Sequence, residues 1–226
     1  RSTLPTDLKV QVIHNSFPPD ALTARPIGGD GPLRVGYVGN LQRAKGVIEL
    51  VEAARIVTEK GLDVRFELVG DHPPARSGLR GRLLKAAGIG QYVGDDVRAL
   101  IDRYGLGDRV RISGFTPDIG AAYSAFDVLA FPSHLDAPGR PIFEAAFAGI
   151  PSIVAVKSPK ADTLVDGVTG LALATSQPEE IAAAIARVAG DRSLLRQLGE
   201  AAQALARKNF DPQQNARALL DVYRAV

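Results

Sequence analysis

The sequence predicts an α/β fold in which a parallel sheet is covered by helices on both faces. Short runs of aliphatic and β-branched residues at 33–38, 64–69, 110–113, 127–131, 152–156 and 170–173 read as strands. Segments with helical spacing lie between them, and strands that alternate with helices imply parallel pairing with both sheet faces buried. Breakers fall where the elements should end, at Gly39, Pro132 and Gly149.

The elements follow in chain order. Residues 9–13 alternate as a further strand would, and the Gly- and Pro-rich stretch 18–32 reads as a loop. After strand 33–38, residues 47–58 follow with helical spacing, at Val47, Leu50, Val51, Ala54, Ile56 and Val57. Strand 64–69 is followed by a segment, 72–105, longer than a simple crossover needs. Within it Arg76, Arg80, Arg82 and Lys85 suit a solvated helix face. A short helix at 119–125 connects strands 110–113 and 127–131. Pro141 suits the first turn of a helix that runs to Ala148. Beyond the strands 152–156 and 170–173 the chain is helical, at 181–188, 193–208 and 212–226.

At 226 residues, with 46% hydrophobic and 23% charged residues, the chain can bury a full core without disulfides or metals. A net charge of +2 does not indicate a nucleic-acid partner. Cysteine is absent, which removes disulfides, thiolate metal sites and cysteine nucleophiles and fits a cytoplasmic protein. No apolar run approaches the ~20 residues of a membrane span. The chain has no Met and starts at Arg1, so it is expected to be a piece of a longer product. His14, His72 and His134 are scattered without metal-ligand spacing, and no metal is expected. Neither a Walker loop nor G-x-G-x-x-G follows a strand. The nearest strings, at 36–39 and 88–94, do not fit, which disfavours a dinucleotide-dependent dehydrogenase.

The most informative segment is 131–150, FPSHLDAPGRPIFEAAFAGI. Asp136 and Glu144, with seven residues between them, would sit in the loop after a strand and in the first turns of the next helix. Ligands of open α/β sheets bind at that end of the strands. Glu144 is expected at an exposed position there. Lys45 precedes Gly46 where another strand has ended and a helix begins, a place where a cation and helix amides can hold an anion.

These residues resemble the E-x7-E signature of family 4 glycosyltransferases, retaining enzymes of GT-B fold. The chain shares Pro132-Ser133, Gly139, Glu144-Ala145 and Gly149-Ile150-Pro151 with it, but has Asp136 for the first Glu and Arg140-Pro141 where aliphatic residues are usual. Five further segments resemble the family in its order. They are Val12-Ile-His-Asn15 with Ser16 for Gly, Val38 to Gly46, Leu68-Val-Gly-Asp71 with His72 for Gly, Asp108 to Phe115, and Asp162 to Gly170.

The resemblance implies a Rossmann-like domain spanning 1–226, the C-terminal, donor-binding half of a GT-B enzyme. It further implies that an N-terminal acceptor-binding half lies outside the chain and that helix 212–226 crosses toward it. The activity implied is transfer of a sugar from a UDP- or GDP-sugar to an acceptor, with no cofactor and inactivity of this chain alone. Any peripheral membrane association would come through the other half. By resemblance Lys45 contacts the diphosphate. The family's companion Arg, five residues earlier, is Asn40 here, and either Arg43 or Arg140 stands ready to replace its charge. Gly39 lies in the same loop. Glu144 would take the ribose hydroxyls, and Asp136 the sugar and diphosphate region. Amides from Gly139 through Arg140 and Ile142 to Phe143 would face the diphosphate, with Pro141 lacking one. Phe115 and Thr116 would pack the base, unless Phe115 is a core residue. A non-catalytic nucleotide-binding module of the same fold, or a GT-B epimerase, are the alternatives.

Overall fold

The computed structural model describes residues 11–14, 22, 29, 31–70, 92–136 and 139–224. Its centre is a six-stranded sheet formed by β1 (Leu33–Val38), β2 (Val64–Val69), β3 (Val110–Gly114), β4 (Val128–Phe131), β5 (Ser152–Ala155) and β6 (Gly170–Leu173). The order is β3-β2-β1-β4-β5-β6 and every pairing is parallel. Every residue of β4 and β5 is buried, as a central parallel strand requires.

Helices α1 (Val47–Glu59), α2 (Gly94–Arg103) and α5 (Pro178–Gly190) cover one face. Helices α3 (Ile119–Ser124) and α4 (Arg140–Phe147) cover the other, and α6 (Arg192–Asn209) packs against α4. Helix α7 (Pro212–Arg224) buries none of its residues. Side-chain caps hold three of the helix starts among the described residues. Asp118 accepts from the Ala121 amide at α3, Asp191 from the Leu194 amide at α6, and Asp211 from the Gln214 amide at α7.

The chain runs β1, β2, β3 in one direction from the middle of the sheet, then β4, β5, β6 in the other. Strands β1 and β4 are therefore neighbours whose following helices, α1 and α4, cover opposite faces, the arrangement that places a crevice at the strands' carboxyl ends. At the opposite end, Arg34 Nε donates to Asp127 Oδ2 at 3.0 Å and the Arg34 amide to the same oxygen at 2.9 Å. Asp127 is 3% exposed, so this fork satisfies a carboxylate that burial would otherwise penalise.

All six strands expected between 33 and 173 form, with no end shifted by more than one residue. Of the strand expected at 9–13, residues 9 and 10 lie outside the described residues, and 11–14 have no regular structure. Val12 is 74% exposed, while His14 rests edge-on against Phe210 and its carbonyl accepts from Asn215 Nδ2 at 3.0 Å. The segment is held by the helical layer and not by a sheet edge. The arginine-rich stretch with Lys85, most of the loop at 18–32, Asn15, Ser16, Asp71 and His72 lie outside the described residues. Helix α2, with Asp95 and Asp96 in its first turn, occupies the end of the long crossover and was not anticipated as a separate element.

Gly46 joins a 3-10 turn (Arg43–Lys45) to α1 at φ 70°, and a Cβ there would lie 1.8 Å from the Pro132 carbonyl oxygen. Gly46→Ala is expected to cost clearly more than Gly61→Ala, whose φ is 72° in open space. The φ alone should cost about 1–2 kcal/mol, and the clash adds to it at residue 46 only. Urea unfolding of both variants checks this, and equal losses would mean that the contact yields.

Candidate functional site

The crevice between β1 and β4 is built by two loops that touch. The first leaves β1 at Gly39, turns through Arg43–Lys45 and enters α1 at Gly46. The second leaves β4 at Pro132 and enters α4 at Gly139, which is its N-cap. One carbonyl joins them, since Ala44 O accepts from the His134 amide at 3.0 Å and from Ser133 Oγ at 3.2 Å. Ser133 is buried, and its Oγ also accepts from the Leu135 amide. His134 Nε2 lies 3.0 Å from Glu49 Oε1, a second link from the β4 loop to the start of α1. Tyr37, buried under the first loop, donates to the Asn40 carbonyl at 2.8 Å. Burial pushes its phenol up from the ordinary value, so the donor proton is retained.

Lys45 reaches over the ring of Phe131, 5.7 Å from its centroid, which fixes the ammonium beside the end of β4. Asn40 and Arg43 are exposed on the same loop, and Gly39 is half-buried at its root.

The two acids have different surroundings. Asp136 is exposed, and its Oδ1 accepts from the Lys157 amide at 2.9 Å. It thereby lines a polar cleft of about 260 Å³ with Ser133, His134, Lys157, Thr175 and Gln177. Glu144 is buried, 5% exposed, contrary to the exposed position expected from the sequence. Its Oε2 accepts from Tyr123 Oη at 2.8 Å, and its Oε1 lies 2.6 Å from Arg140 Nε. Tyr123 is fully buried on α3. Burial first, then the Glu144 charge and the hydrogen bond itself, push its phenol well above the ordinary value. The phenol is therefore the donor, and the carboxylate is held in one orientation from below.

The first turn of α4 has fewer open amides than its position suggests. Pro141 has none, and the Ile142 amide donates to Gly139 O at 3.1 Å. The Ile142 side chain is core, 2% exposed. Phe115 and Thr116 follow β3, two strands from β1, or about 10 Å across the sheet. Phe115 is 81% exposed, so the core alternative does not hold. Thr116 Oγ1 accepts from the Asp118 amide at 3.1 Å, in the turn that leads into α3. Thus Lys45 and the start of α4 at Gly139 meet at the Phe131 ring, Asp136 lines the cleft toward β5, and Arg140 and Glu144 follow in the first turns of α4. Phe115 and Thr116 stand further along the same sheet edge. Tyr123 and Glu49 were missed by sequence reasoning. The only signal for Tyr123 was one large polar-tipped residue in a short helix of small ones just before β4.

A sequence model described as "Glycosyl transferases group 1" matches residues 26–205, and the chain belongs to that family. It is similar to alpha-D-kanosaminyltransferase of Streptomyces kanamyceticus, at 28% identity over 199 residues, covering 87% of this chain and 46% of that protein. It is also similar to Anabaena Alr3699/HepE, solved in complex with UDP-glucose. There the TM-score is 0.74 and the identity 27%, over 96% of this chain and 57% of that one. The C-terminal domain of the group 1 family protein LpcC from Francisella tularensis is matched over its whole length and 88% of this chain. That likeness, at TM-score 0.70 and 19% identity, speaks for the fold alone. The fold is thus Rossmann-like and matches the C-terminal domain of GT-B glycosyltransferases. The chain spans less than half the length of the curated relatives it matches. Among the described residues, no helix is long and apolar enough to cross a membrane.

Removal of the Tyr123 hydroxyl leaves one oxygen of a buried carboxylate without its partner. Tyr123→Phe is expected to cost about 1–3 kcal/mol in urea unfolding at neutral pH. Because the folded phenol is raised, its contribution is complete below the unfolded value near pH 10 and fades as pH climbs above it. Between about pH 9 and 11 the variant should therefore lose less stability than the parent. A parallel decline in both proteins would remove Tyr123 as the cause.

Proposed function

We propose that this chain is the donor-binding domain of a retaining glycosyltransferase of family 4. In this reading it holds a nucleoside diphosphate sugar while a second domain supplies the acceptor. The observation that carries the reading is the junction at Ala44 O. There the Lys45 turn and the loop to α4 are locked together, and a cation and a helix start come to the same Phe131 ring, one turn before an oriented carboxylate. The solved complex of HepE with UDP-glucose supports a UDP-sugar as the first donor to try.

Breaking the anomeric C–O bond builds negative charge on the departing diphosphate and positive charge on the sugar ring. Lys45 neutralises the diphosphate from the β1 side. The Gly139 and Arg140 amides at the start of α4 face it from the β4 side. Glu144, held by Tyr123, accepts hydrogen bonds from the ribose hydroxyls. Phe115 offers an open ring to the base. Asp136, tied to the end of β5, faces the sugar end of the donor. The chain offers no covalent nucleophile in this reading. Departure and attack occur on the same face, with a diphosphate oxygen taking the acceptor proton. The acceptor-side groups belong to the second domain, so the chain alone is inactive. The lack of cysteine fits work in the cytoplasm.

The test is thermal stabilisation of the purified chain by UDP-, GDP- and ADP-sugars. A donor at 100 times its dissociation constant should stabilise by ~2.7 kcal/mol. Lys45→Ala should then weaken the matching nucleoside diphosphate by about tenfold or more and leave the nucleoside nearly unchanged in calorimetry. Equal losses for both ligands would take Lys45 away from the diphosphate. No stabilisation by any donor would leave a non-catalytic module of the same fold.

A further inference from the structure

We propose that Arg140 is an exchangeable counter-ion, resting on Glu144 when the crevice is empty and moving to the diphosphate when a donor binds. The inference rests on the donor-binding reading above and adds a moving part to it.

Four observations lead to it. Arg140 Nε is 2.6 Å from Glu144 Oε1, the carboxylate oxygen that Tyr123 does not take. The two partners differ in exposure. Tyr123 is fully buried, whereas the Arg140 side chain is 77% exposed. Local helix energetics do not explain an arginine here. It occupies the first residue of α4, where the helix dipole disfavours a cation, and Arg before Glu at i,i+4 is the weaker order of that pair. Finally, the start of α4 is poor in open amides, because Pro141 has none and the Ile142 amide is spent on Gly139 O. An anion at this helix end needs another donor, and the guanidinium is the group on the spot. A diphosphate also carries more charge than Lys45 alone can neutralise.

The exchange couples the two ends of the ligand. A ribose that hydrogen-bonds Glu144 displaces Arg140 from Oε1. The displaced guanidinium then finds the phosphates, to which it can donate two parallel bonds. A nucleoside alone displaces Arg140 and gives it no new partner. Binding therefore favours the diphosphate over the nucleoside by the Arg140 contact as well as by those of Lys45 and the helix amides.

The probes are UDP, GDP and ADP with their nucleosides, measured by calorimetry on the parent and on Arg140→Leu, with circular dichroism to confirm the fold. For whichever pair binds the parent, Arg140→Leu should weaken the diphosphate by about tenfold or more. It should strengthen the nucleoside by about twofold or more, as Glu144 no longer has to be vacated. Arg140→Lys, which keeps the charge but not the fork, should fall between. Opposite signs for the two ligands support the exchange. Equal losses, or no change, would make Arg140 a structural partner of Glu144 and overturn it. Gains for both ligands would make Arg140 a plug that never reaches the phosphates, which also overturns it. If the parent binds none of the three pairs, the donor-binding reading itself falls, and the exchange with it.

Discussion

One backbone carbonyl holds the working edge of this domain together. Ala44 O takes hydrogen bonds from both the His134 amide and Ser133 Oγ, and so ties the loop after β1 to the loop after β4. The contact exists because Gly46 lets backbone meet backbone at Pro132, with no room for a Cβ. Everything placed in the crevice inherits its position from that join. Lys45 is adjacent to it in sequence, Asp136 is two residues past His134, and α4 starts where the same loop ends. Loops rarely position chemistry well unless something rigid backs them. Here the backing is a pair of neighbouring strands, clamped at their far end by Arg34 and Asp127.

The acids show how burial assigns different work to like groups. Glu144 is enclosed, gripped by Tyr123 from the core and by Arg140 from solvent, so its orientation is determined before any ligand arrives. Asp136 is open to water and leans on the Lys157 amide at the end of β5. Its shorter side chain is matched to that amide and not to the start of α4. A preformed acceptor costs less reorganisation than a flexible one, which suits Glu144 for discriminating hydroxyl patterns. An exposed aspartate on a loop suits adaptable contact with a more variable group.

The sheet was legible because parallel strands are buried on both faces and announce themselves as apolar runs, as Val128–Phe131 does. The places of Lys45 before α1, Asp136 in the loop after β4 and Glu144 in α4 were legible because breakers bracket them. What failed depended on context that spacing does not carry. The alternation at 9–13 is a pattern that a strand shares with any extended segment lying on a helical layer, and Val12 faces water. The burial of Glu144 depends on how α4 is rotated against α3, which a single helix cannot reveal. Tyr123 is informative only once that rotation is known. Phe115 was undecided between core and surface, since one aromatic after a strand suits either, and its exposure is a property of the sheet edge.

The clamp between Arg34 and Asp127 spans 93 residues of chain, whereas β1 and β2 register Leu33 against Val64 through a single helical crossover. Loop-closure entropy for so long a span is about 4 kcal/mol, against about 3 for the short one. Each half of the sheet can therefore assemble through nearby contacts, while the seam between the halves is the expensive encounter. The crevice lies on that seam. A partly folded chain, however much of its secondary structure it has made, lacks that edge, and the crevice takes shape only when the two halves have met.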